Sequence, residues 1–270
     1  MIGRGCKSLA LVTVLLAAMA LASAQAAQRA RGPDPAVKEW PSWPYPTSCD
    51  GYGLPFDPVS VFSGLTGAEL GSSPSEVALR DFLRKEGWVR QLGASAHDWR
   101  LLAETTKAAE FASGRLAKPN RMSSMSFELD GGEWKWVGFS SGCQPTSIIK
   151  GRPALTWQIS PEQETVDRNT RKLLIDLGPG PCAGGRSQNA RARKPIFRRL
   201  GGRRWLMIMQ LKPLPPGAYT CQGIIEPPLE VTLPSRIGKR RLLDGGTYPP
   251  IDVVQQWREA RAASSRRAAD

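Results

Sequence analysis

Residues 125–137 read MSFELDGGEWKWV, and this stretch decides the fold class. Its two flanks have the apolar and polar alternation that is typical of strands with one buried face. Between the flanks, Asp130-Gly131-Gly132 is a turn signal, so the stretch predicts a β-hairpin. We therefore expect β-structure to dominate the part of the chain that follows.

Six later segments also have strand composition, and short turns rich in glycine or proline separate them. They are residues 154–159, 172–177, 195–200, 203–211, 219–225 and 229–233. No helical crossover is predicted between them, whereas parallel strands need long connections. The prediction is a mainly β protein, α+β at most: an antiparallel β-sheet or sandwich with one N-terminal helix and a Pro-rich N-terminal arm.

The one predicted helix runs from about Glu76 to Leu92, ahead of the hairpin. Ser73 or Ser75 is a suitable N-cap, and the apolar residues recur at helical spacing. With this helix, the disulfide-bonded, strand-rich domain covers residues 76–254. Residues 255–270 are polar and rich in alanine and arginine, which predicts a flexible or frayed helical tail.

Residues 27–75 are the predicted arm, because they are crowded with proline, glycine and serine. The run WPSWPYP, from Trp40 to Pro46, favours an extended polyproline-type conformation. Its three aromatic side chains are hard to bury locally. We expect them to pack onto the domain once Cys49 is tethered, and docking of a partner or a sugar is the alternative.

Residues 1–26 have the pattern of an export signal. A basic start precedes an apolar run from Leu9 to Ala22, and small residues follow at Ala22-Ser23-Ala24 and Ala24-Gln25-Ala26. The apolar run is shorter than the roughly 20 residues that cross a bilayer, which favours cleavage over an uncleaved membrane anchor. No later segment is apolar enough to span a membrane. The sequence therefore predicts an extracytoplasmic protein, secreted or associated with the cell envelope.

Four cysteines remain once the signal is removed: Cys49, Cys143, Cys182 and Cys221. An even number in an exported chain predicts two disulfides, for which three connectivities exist. We favour Cys182 with Cys221, which would join neighbouring strands, and Cys49 with Cys143, which would pin the arm. Zinc is the competing interpretation, but the CxxC spacings of a zinc site are absent. No metal or cofactor is predicted.

Positive charge is concentrated in one segment. The whole chain has 37 basic and 24 acidic side chains, a net charge of +13. Residues 177–241 contain 13 of the basic side chains but only two acids, Glu226 and Glu230, whereas residues 25–176 and 242–270 are each neutral. An arginine-rich composition does not explain why the acids vanish from one segment. The segment therefore predicts an anion-binding face, with a solvated surface as the alternative.

Gly201-Gly202 in this segment is a good two-residue hairpin turn. Counting back from this turn places Arg199 opposite Arg204. This like-charge pair lowers the stability by under about 1 kcal/mol unless a bound anion offsets the repulsion. Arg198 would lie across Trp205 as a cation–π pair. The predicted pairs are Leu200 with Arg203, Arg199 with Arg204, Arg198 with Trp205, Phe197 with Leu206, and Ile196 with Met207. The predicted anion-binding residues are Arg191, Arg193, Lys194, Arg198, Arg199, Arg203, Arg204, Arg240 and Arg241.

The sequence offers little in favour of catalysis. His97 is the only histidine, and the GxSxG motif of a nucleophile elbow is absent. The carboxylate pairs Glu128 with Asp130 and Glu162 with Glu164 have a spacing that is common by chance. We predict no catalytic residue.

A further pattern runs from Trp134 to Pro250 and covers about half of the chain. Its residues are Gly142-Cys143, Thr156-Trp157, Pro181-Cys182, Thr220-Cys221-Gln222-Gly223, Leu229 to Leu233, and Gly238 through Leu243-Asp244-Gly245 to Pro249-Pro250. In these residues the chain resembles uncharacterised exported proteins of high-GC Gram-positive bacteria. The resemblance implies an exported, disulfide-bonded, strand-rich domain, and it implies no activity and no site.

Together these features predict an exported, non-enzymatic domain of the cell envelope whose basic β-hairpin face binds an anionic envelope polymer or a lipid surface. Nucleic acid is another polyanion, although no motif supports it. The alternative function is an unrecognised hydrolase that acts on envelope glycans or lipids. A deep cleft that gathers His97 or paired carboxylates would favour the hydrolase, and a flat basic sheet face would favour binding.

Overall fold

The computed structural model describes residues 34–63, 71–86, 99–114, 116, 122–223 and 225–267. The predicted signal, the first residues of the predicted arm and His97 lie outside these ranges. Within them the protein is mainly β, with fourteen strands in four sheets, which confirms the predicted fold class.

Short helices and strands alternate along the first part of the chain, and strands dominate the rest. The helices are α1 (Pro35–Glu39), α2 (Pro58–Ser63), α3 (Pro74–Lys85), α4 (Gln188–Arg191) and α5 (Val253–Arg267). The strands are β1 (Thr47–Cys49), β2 (Trp99–Glu104), β3 (Ala108–Ser113), β4 (Ser123–Asp130), β5 (Glu133–Ser140), β6 (Pro145–Ile149), β7 (Arg152–Pro153), β8 (Trp157–Ile159), β9 (Lys172–Leu177), β10 (Ile196–Arg199), β11 (Arg204–Ile208), β12 (Leu229–Thr232), β13 (Arg241–Asp244) and β14 (Ile251–Asp252).

The predicted hairpin of residues 125–137 is confirmed as β4 and β5, with Asp130 opposite Glu133. It belongs to an antiparallel sheet in the order β2-β3-β4-β5. Helix α3 packs on this sheet and buries Leu79 and Leu83 against Phe111. Because large apolar side chains from the helix and the sheet meet there, this part of the molecule has its own core.

Helix α3 begins at Pro74, close to the predicted start, because Ser73 and Glu76 form a capping box. The Ser73 backbone N–H donates to Glu76 Oε2 at 3.0 Å. The described helix ends earlier than predicted, at Lys85, because Glu86 has an extended conformation and closes it. The predicted end at Leu92 lies outside the described residues.

A second sheet, in the order β10-β11-β13-β14, lies between two apolar clusters. Alternation along β11 sends Trp205 and Met207 into one cluster and Leu206 into the other. A strand that is buried on both faces has a continuous apolar sequence, as β11 does. Strands β11 and β13 pair in parallel, which is an exception to the predicted antiparallel pairing that the other strand pairs of the described chain have.

The predicted strand at residues 219–225 is also wrong. The described part of this segment, residues 219–223 and Ile225, forms no strand, and Ile225 is fully exposed. The Thr220 carbonyl accepts a hydrogen bond from the Gly184 N–H at 2.9 Å, next to the disulfide of Cys182 and Cys221. The neighbouring strands pair with one another in the sheet order β12-β9-β8, which does not include this segment.

The predicted arm is described at residues 34–63 and 71–75, and the first of these ranges is built into the fold. It forms α1, β1 and α2, and β1 pairs with β6. Trp40 is buried, and its carbonyl accepts a hydrogen bond from the Tyr248 hydroxyl at 2.9 Å. The expectation that the arm packs on the domain is therefore confirmed for Trp40. Residues 41–46 form neither helix nor strand, and the chain bends at Pro44 and Tyr45.

Both predicted disulfides are present, Cys49 with Cys143 and Cys182 with Cys221. The first links β1 to the segment before β6 and so fixes the arm. The predicted tail is a fifteen-residue helix, α5, which begins at Val253. Val253 and Val254 are buried in the larger apolar cluster, so the helix is anchored at its first turn.

Candidate anion-binding site

The basic hairpin forms, but its register differs by one residue from the predicted one. Arg199 lies opposite Trp205, and Arg198 lies opposite Leu206. The turn has three residues, 201–203, and the Leu200 N–H donates to the Arg204 carbonyl at 3.0 Å. Matching of apolar residues could not decide the register, because both faces of this sheet are buried and either register brings apolar residues together.

In the observed register, Arg199 and Arg204 lie on opposite faces of the sheet. Arg199 and Arg204 are not opposite each other, so the predicted like-charge pair is wrong. The predicted stacking of Arg198 on Trp205 is wrong as well, since Arg199 takes that place with its guanidinium carbon 5.9 Å from the ring centre. Arg198 lies over Tyr45 instead, at 5.4 Å.

The parallel pairing of β11 and β13 creates a different like-charge pair. In this register Arg204 lies beside Arg241, so both strands begin with arginine at the same end of the sheet. The C-terminal end of β10 is at that end too, because β10 is antiparallel to β11. We call this group of six residues the arginine edge: Arg198, Arg199, Arg203, Arg204, Arg240 and Arg241.

Two tryptophans hold four of these arginines. Arg204 and Arg241 both contact the ring of Trp40, and their guanidinium carbons are 4.9 and 5.8 Å from its centre. Trp205 is contacted by Arg240 at 4.5 Å and by Arg199. The negative face of an indole ring attracts a cation, which offsets part of the repulsion between the arginines. The contacts also hold the guanidinium groups in place while their N–H groups remain available to ligands.

Charge compensation is uneven along the edge. Arg241 Nε donates to Asp252 Oδ2 at 2.9 Å and its Nη1 to Glu39 Oε1 at 3.4 Å, and the hydrogen bond to Asp252 is the main cause of its raised pKa. Arg240 Nη1 donates to the Arg236 carbonyl at 2.7 Å. In the described part of the chain, the four hairpin arginines have no carboxylate within salt-bridge distance; these are Arg198, Arg199, Arg203 and Arg204.

A cleft of about 410 Å³ separates the hairpin from the Trp/Pro run of the arm. Residues 40–44 form one wall, and Arg198, Arg199 and Arg204 are on the other. We call it the Trp–Pro cleft. A smaller cleft, of about 260 Å³, lies on the other side of the hairpin, where Arg199 and Trp205 face Pro234. The edge is therefore a grooved surface and not the flat sheet face that was named as the criterion for binding.

The remaining three predicted residues do not join the edge. Arg191, Arg193 and Lys194 precede β10, at the opposite end of the hairpin, and five residues of extended chain from Lys194 to Arg199 span about 16 Å. Arg191 is used structurally, since its Nε and Nη2 donate to the Lys212 carbonyl at 3.2 and 3.0 Å. Arg193 and Lys194 are exposed.

Sequence reasoning assigned Trp40 and Tyr45 to arm packing and did not connect them with the arginines. The two segments are more than 150 residues apart in the sequence, and no local pattern links them. The signal that could have found the contact is compositional: Trp and Tyr in a segment without a core of its own, and arginine-rich strands elsewhere that lack acids.

Neither carboxylate pair considered for catalysis lines the Trp–Pro cleft or the smaller cleft beside it. Glu128 and Asp130 are exposed near the tip of the β4–β5 hairpin, where the hydrogen bond from Lys135 lowers the pKa of Asp130. Glu162 and Glu164 are exposed in a loop. Among the described residues, no group of three or more His, Cys, Asp or Glu side chains could hold a metal ion.

Two buried carboxyls have strongly raised pKa values. Burial raises the pKa of Glu110 to about 7, opposed by a hydrogen bond from the Leu54 N–H at 2.7 Å. Burial likewise raises the pKa of Asp244 to about 7, against hydrogen bonds from the N–H groups of Gly246 at 2.8 Å and Trp157 at 3.2 Å. Such shifts often mark functional sites, but both groups are sealed inside the fold and contact backbone.

The fold and the arginine edge define a disulfide-bonded, mainly β protein with a grooved cationic surface. Comparison with protein-family models, with curated proteins and with solved structures gives no match for this chain. Within the described residues, no helix is both long and apolar enough to cross a bilayer.

Proposed function

We propose that this protein is an exported, non-enzymatic component of the cell envelope that binds an anionic envelope polymer through the arginine edge. The export pattern of residues 1–26 and the two disulfides support the location, because disulfides persist in oxidising compartments outside the cytoplasm. The binding function rests on the edge itself.

One observation carries the proposal: the parallel pairing of β11 and β13, which brings Arg203-Arg204 and Arg240-Arg241 to one end of the sheet. Clustering of like charges in the absence of a ligand is unfavourable. Here three of the hairpin arginines, Arg198, Arg199 and Arg204, lie against aromatic rings. None of the four has a carboxylate partner in the described chain, so their N–H groups remain available. Arginine forks suit both phosphate and carboxylate groups.

A polymer fits this surface better than a lipid bilayer does. Interfacial membrane binding combines basic groups with exposed apolar side chains. The large apolar side chains exposed in the described part of the chain, such as Tyr52, Trp136 and Val137, line none of the clefts beside the edge. The grooves beside the arginines admit a chain, whereas a planar headgroup layer would not enter them.

The experiment compares two triple variants of the mature protein that remove the same charge. The hairpin variant is Arg198→Ser, Arg199→Ser and Arg203→Ser, all exposed side chains of the edge. The control variant replaces Arg193, Lys194 and Lys212 by serine, which are exposed at the opposite end of the same hairpin. Binding to immobilised long-chain polyphosphate is measured over a series of salt concentrations.

The hairpin variant should bind about 100-fold more weakly at low salt, since three charge-assisted contacts of about 1 kcal/mol each are lost. The slope of log K against log salt should fall by about 2 to 3. The control should keep nearly the wild-type slope. Equal losses in both variants would mean that binding depends only on net charge, and wild-type retention in both would refute the proposal.

A further inference from the structure

A second cleft adjoins the arginine edge at β13. It has a volume of about 500 Å³ and lies between residues 166–168, residues 237–241 and the first turns of α5. We call it the loop–helix cleft. The Gly238 N–H donates to the Arg168 carbonyl at 2.9 Å, and the Ile237 N–H donates to the Thr170 carbonyl at 3.0 Å. These bonds hold the two loops together, so the walls of the cleft are fixed.

The lining of this cleft is strongly cationic. Arg168, Lys239 and Arg258 line it together with Arg240 and Arg241 of the edge. Its two carboxylates, Asp167 and Asp252, leave a net charge of +3 from five basic and two acidic side chains.

Both carboxylates already have partners. Asp252 binds Arg241 and also accepts from the Gln255 N–H at 3.1 Å. Asp167 accepts from Thr170 Oγ1 at 3.0 Å and from the Asn169 N–H at 2.8 Å. In the part of the chain that the structure describes, Arg168, Lys239 and Arg258 have no carboxylate within salt-bridge distance. Three cations of the cleft are therefore available to a ligand.

The cleft and the edge are continuous. Arg199 and Arg240 both contact the ring of Trp205. The distances of their guanidinium carbons from the ring centre mean that these two carbons are at most about 10 Å apart. Arg204 and Arg241 share Trp40 in the same way. Strand β11 lies between β10 and β13, and adjacent strands are about 4.8 Å apart, so β10 and β13 are about 10 Å apart. The loop–helix cleft extends the basic surface beyond β13. One phosphate or carboxylate group spans only a small part of this distance.

We propose that the arginine edge and the loop–helix cleft bind one linear polyanion, whose repeated oxyanion groups contact both. This inference rests on the proposed function and adds Arg168, Lys239 and Arg258 to the site. A linear chain satisfies cations that are spread along a groove, while a single headgroup leaves most of them unpaired.

The test compares a short with a long anion on three variants. The probes are pyrophosphate and long-chain polyphosphate, titrated at fixed low salt. The cleft variant is Arg168→Ser, Lys239→Ser and Arg258→Ser, and it is compared with the hairpin and control variants. A companion cleft variant with Arg168→Lys and Arg258→Lys keeps the charge, and the melting temperature of each variant confirms folding.

The cleft variant should bind long-chain polyphosphate at least about tenfold more weakly, with a salt slope lower by about 2, because three contacts are lost. Its affinity for pyrophosphate should change less than twofold, since the hairpin still binds that probe. The lysine companion should retain most of the long-chain affinity.

Failure of this inference is distinguishable from failure of the proposed function. If the hairpin variant loses polyphosphate binding and the cleft variant does not, the site is confined to the hairpin and only the further inference falls. If neither variant differs from the control variant, both proposals fall. Binding to vesicles of phosphatidylglycerol as tight as that to polyphosphate, with the same variant profile, would identify a lipid surface and overturn the inference of a chain.

Discussion

Glu110 is a buried carboxyl of β3, and its replacement by glutamine should change how the stability of the protein depends on pH. Its side chain is 4% exposed, and Oε2 accepts a hydrogen bond from the Leu54 N–H. Gly53 packs against the Glu110 carboxylate, and a Cβ atom at position 53 would collide with it. Burial is the main cause that raises the pKa of Glu110 to about 7, and the charge of Asp50 adds to it.

The magnitude follows from linkage. The ordinary pKa is 4.5 and the folded value is about 7, so the folded state binds more protons than the unfolded state between these values. The free energy of unfolding therefore falls as pH rises from 4.5 to 7. At 1.36 kcal/mol per pH unit, the full difference is at most about 3 kcal/mol. Asp244 contributes with the same sign, because its folded pKa is also raised.

The assay is urea unfolding followed by tryptophan fluorescence at pH 4 and pH 8, at constant ionic strength and with the disulfides intact. Relative to the wild type, Glu110→Gln should gain up to about 3 kcal/mol on going from pH 4 to pH 8, which corresponds to roughly 6–12 °C in melting temperature. The variant should keep the part of the pH dependence that is due to Asp244. Glu128→Gln, at an exposed position of β4, is the matched control and should follow the wild type. Identical pH profiles for wild type and Glu110→Gln would refute the reasoning.

Two further predictions concern stability. Replacing both cysteines of a disulfide by serine should lower the free energy of unfolding, as judged by urea midpoints. The loss should be about 4 kcal/mol for Cys182–Cys221, with a sequence separation of 39, and nearly 5 kcal/mol for Cys49–Cys143, with a separation of 94. Equal losses, or a larger loss for Cys182–Cys221, would contradict an origin in loop closure. Gly246→Ala should cost about 1–3 kcal/mol, since the added Cβ would collide with the Leu155 carbonyl, whereas Gly142→Ala, where no atom lies within 4 Å, should melt like the wild type; a stable Gly246→Ala protein would show that this backbone contact relaxes.

Features with a local physical cause could be predicted from the sequence. The β4–β5 hairpin has a turn signal between alternating strands, and Ser73 marks the start of α3 through its cap. Both disulfide pairs were correctly favoured among three connectivities. The need to fix the arm explains Cys49–Cys143, but the reason given for Cys182–Cys221 is wrong, since neither cysteine is in a strand. These predictions depend on residues close to one another in the sequence or on chemistry with few alternatives.

Features that depend on contacts between distant parts of the chain could not be predicted from the sequence. The register of β10 and β11 was missed because alternation is informative only when one face of a sheet is polar, and β11 is buried on both. The parallel pairing with β13 was missed because residues 241–244 were not predicted as a strand, and the long connection to them holds β12, a strand of another sheet. Six of the nine predicted basic residues lie at one end of this sheet. The sequence did not connect them with Trp40 and Tyr45.

The contact of Trp40 with both Arg204 and Arg241 has a consequence for folding. The site is assembled from residues 40–45, 198–204 and 240–241. These segments are far apart in the sequence and come together only when the chain folds. A partly folded chain lacks the site, so a ligand of the edge binds the native state alone and stabilises the whole molecule by mass action. A bound ligand would therefore protect the protein against unfolding and proteolysis at places far from the edge.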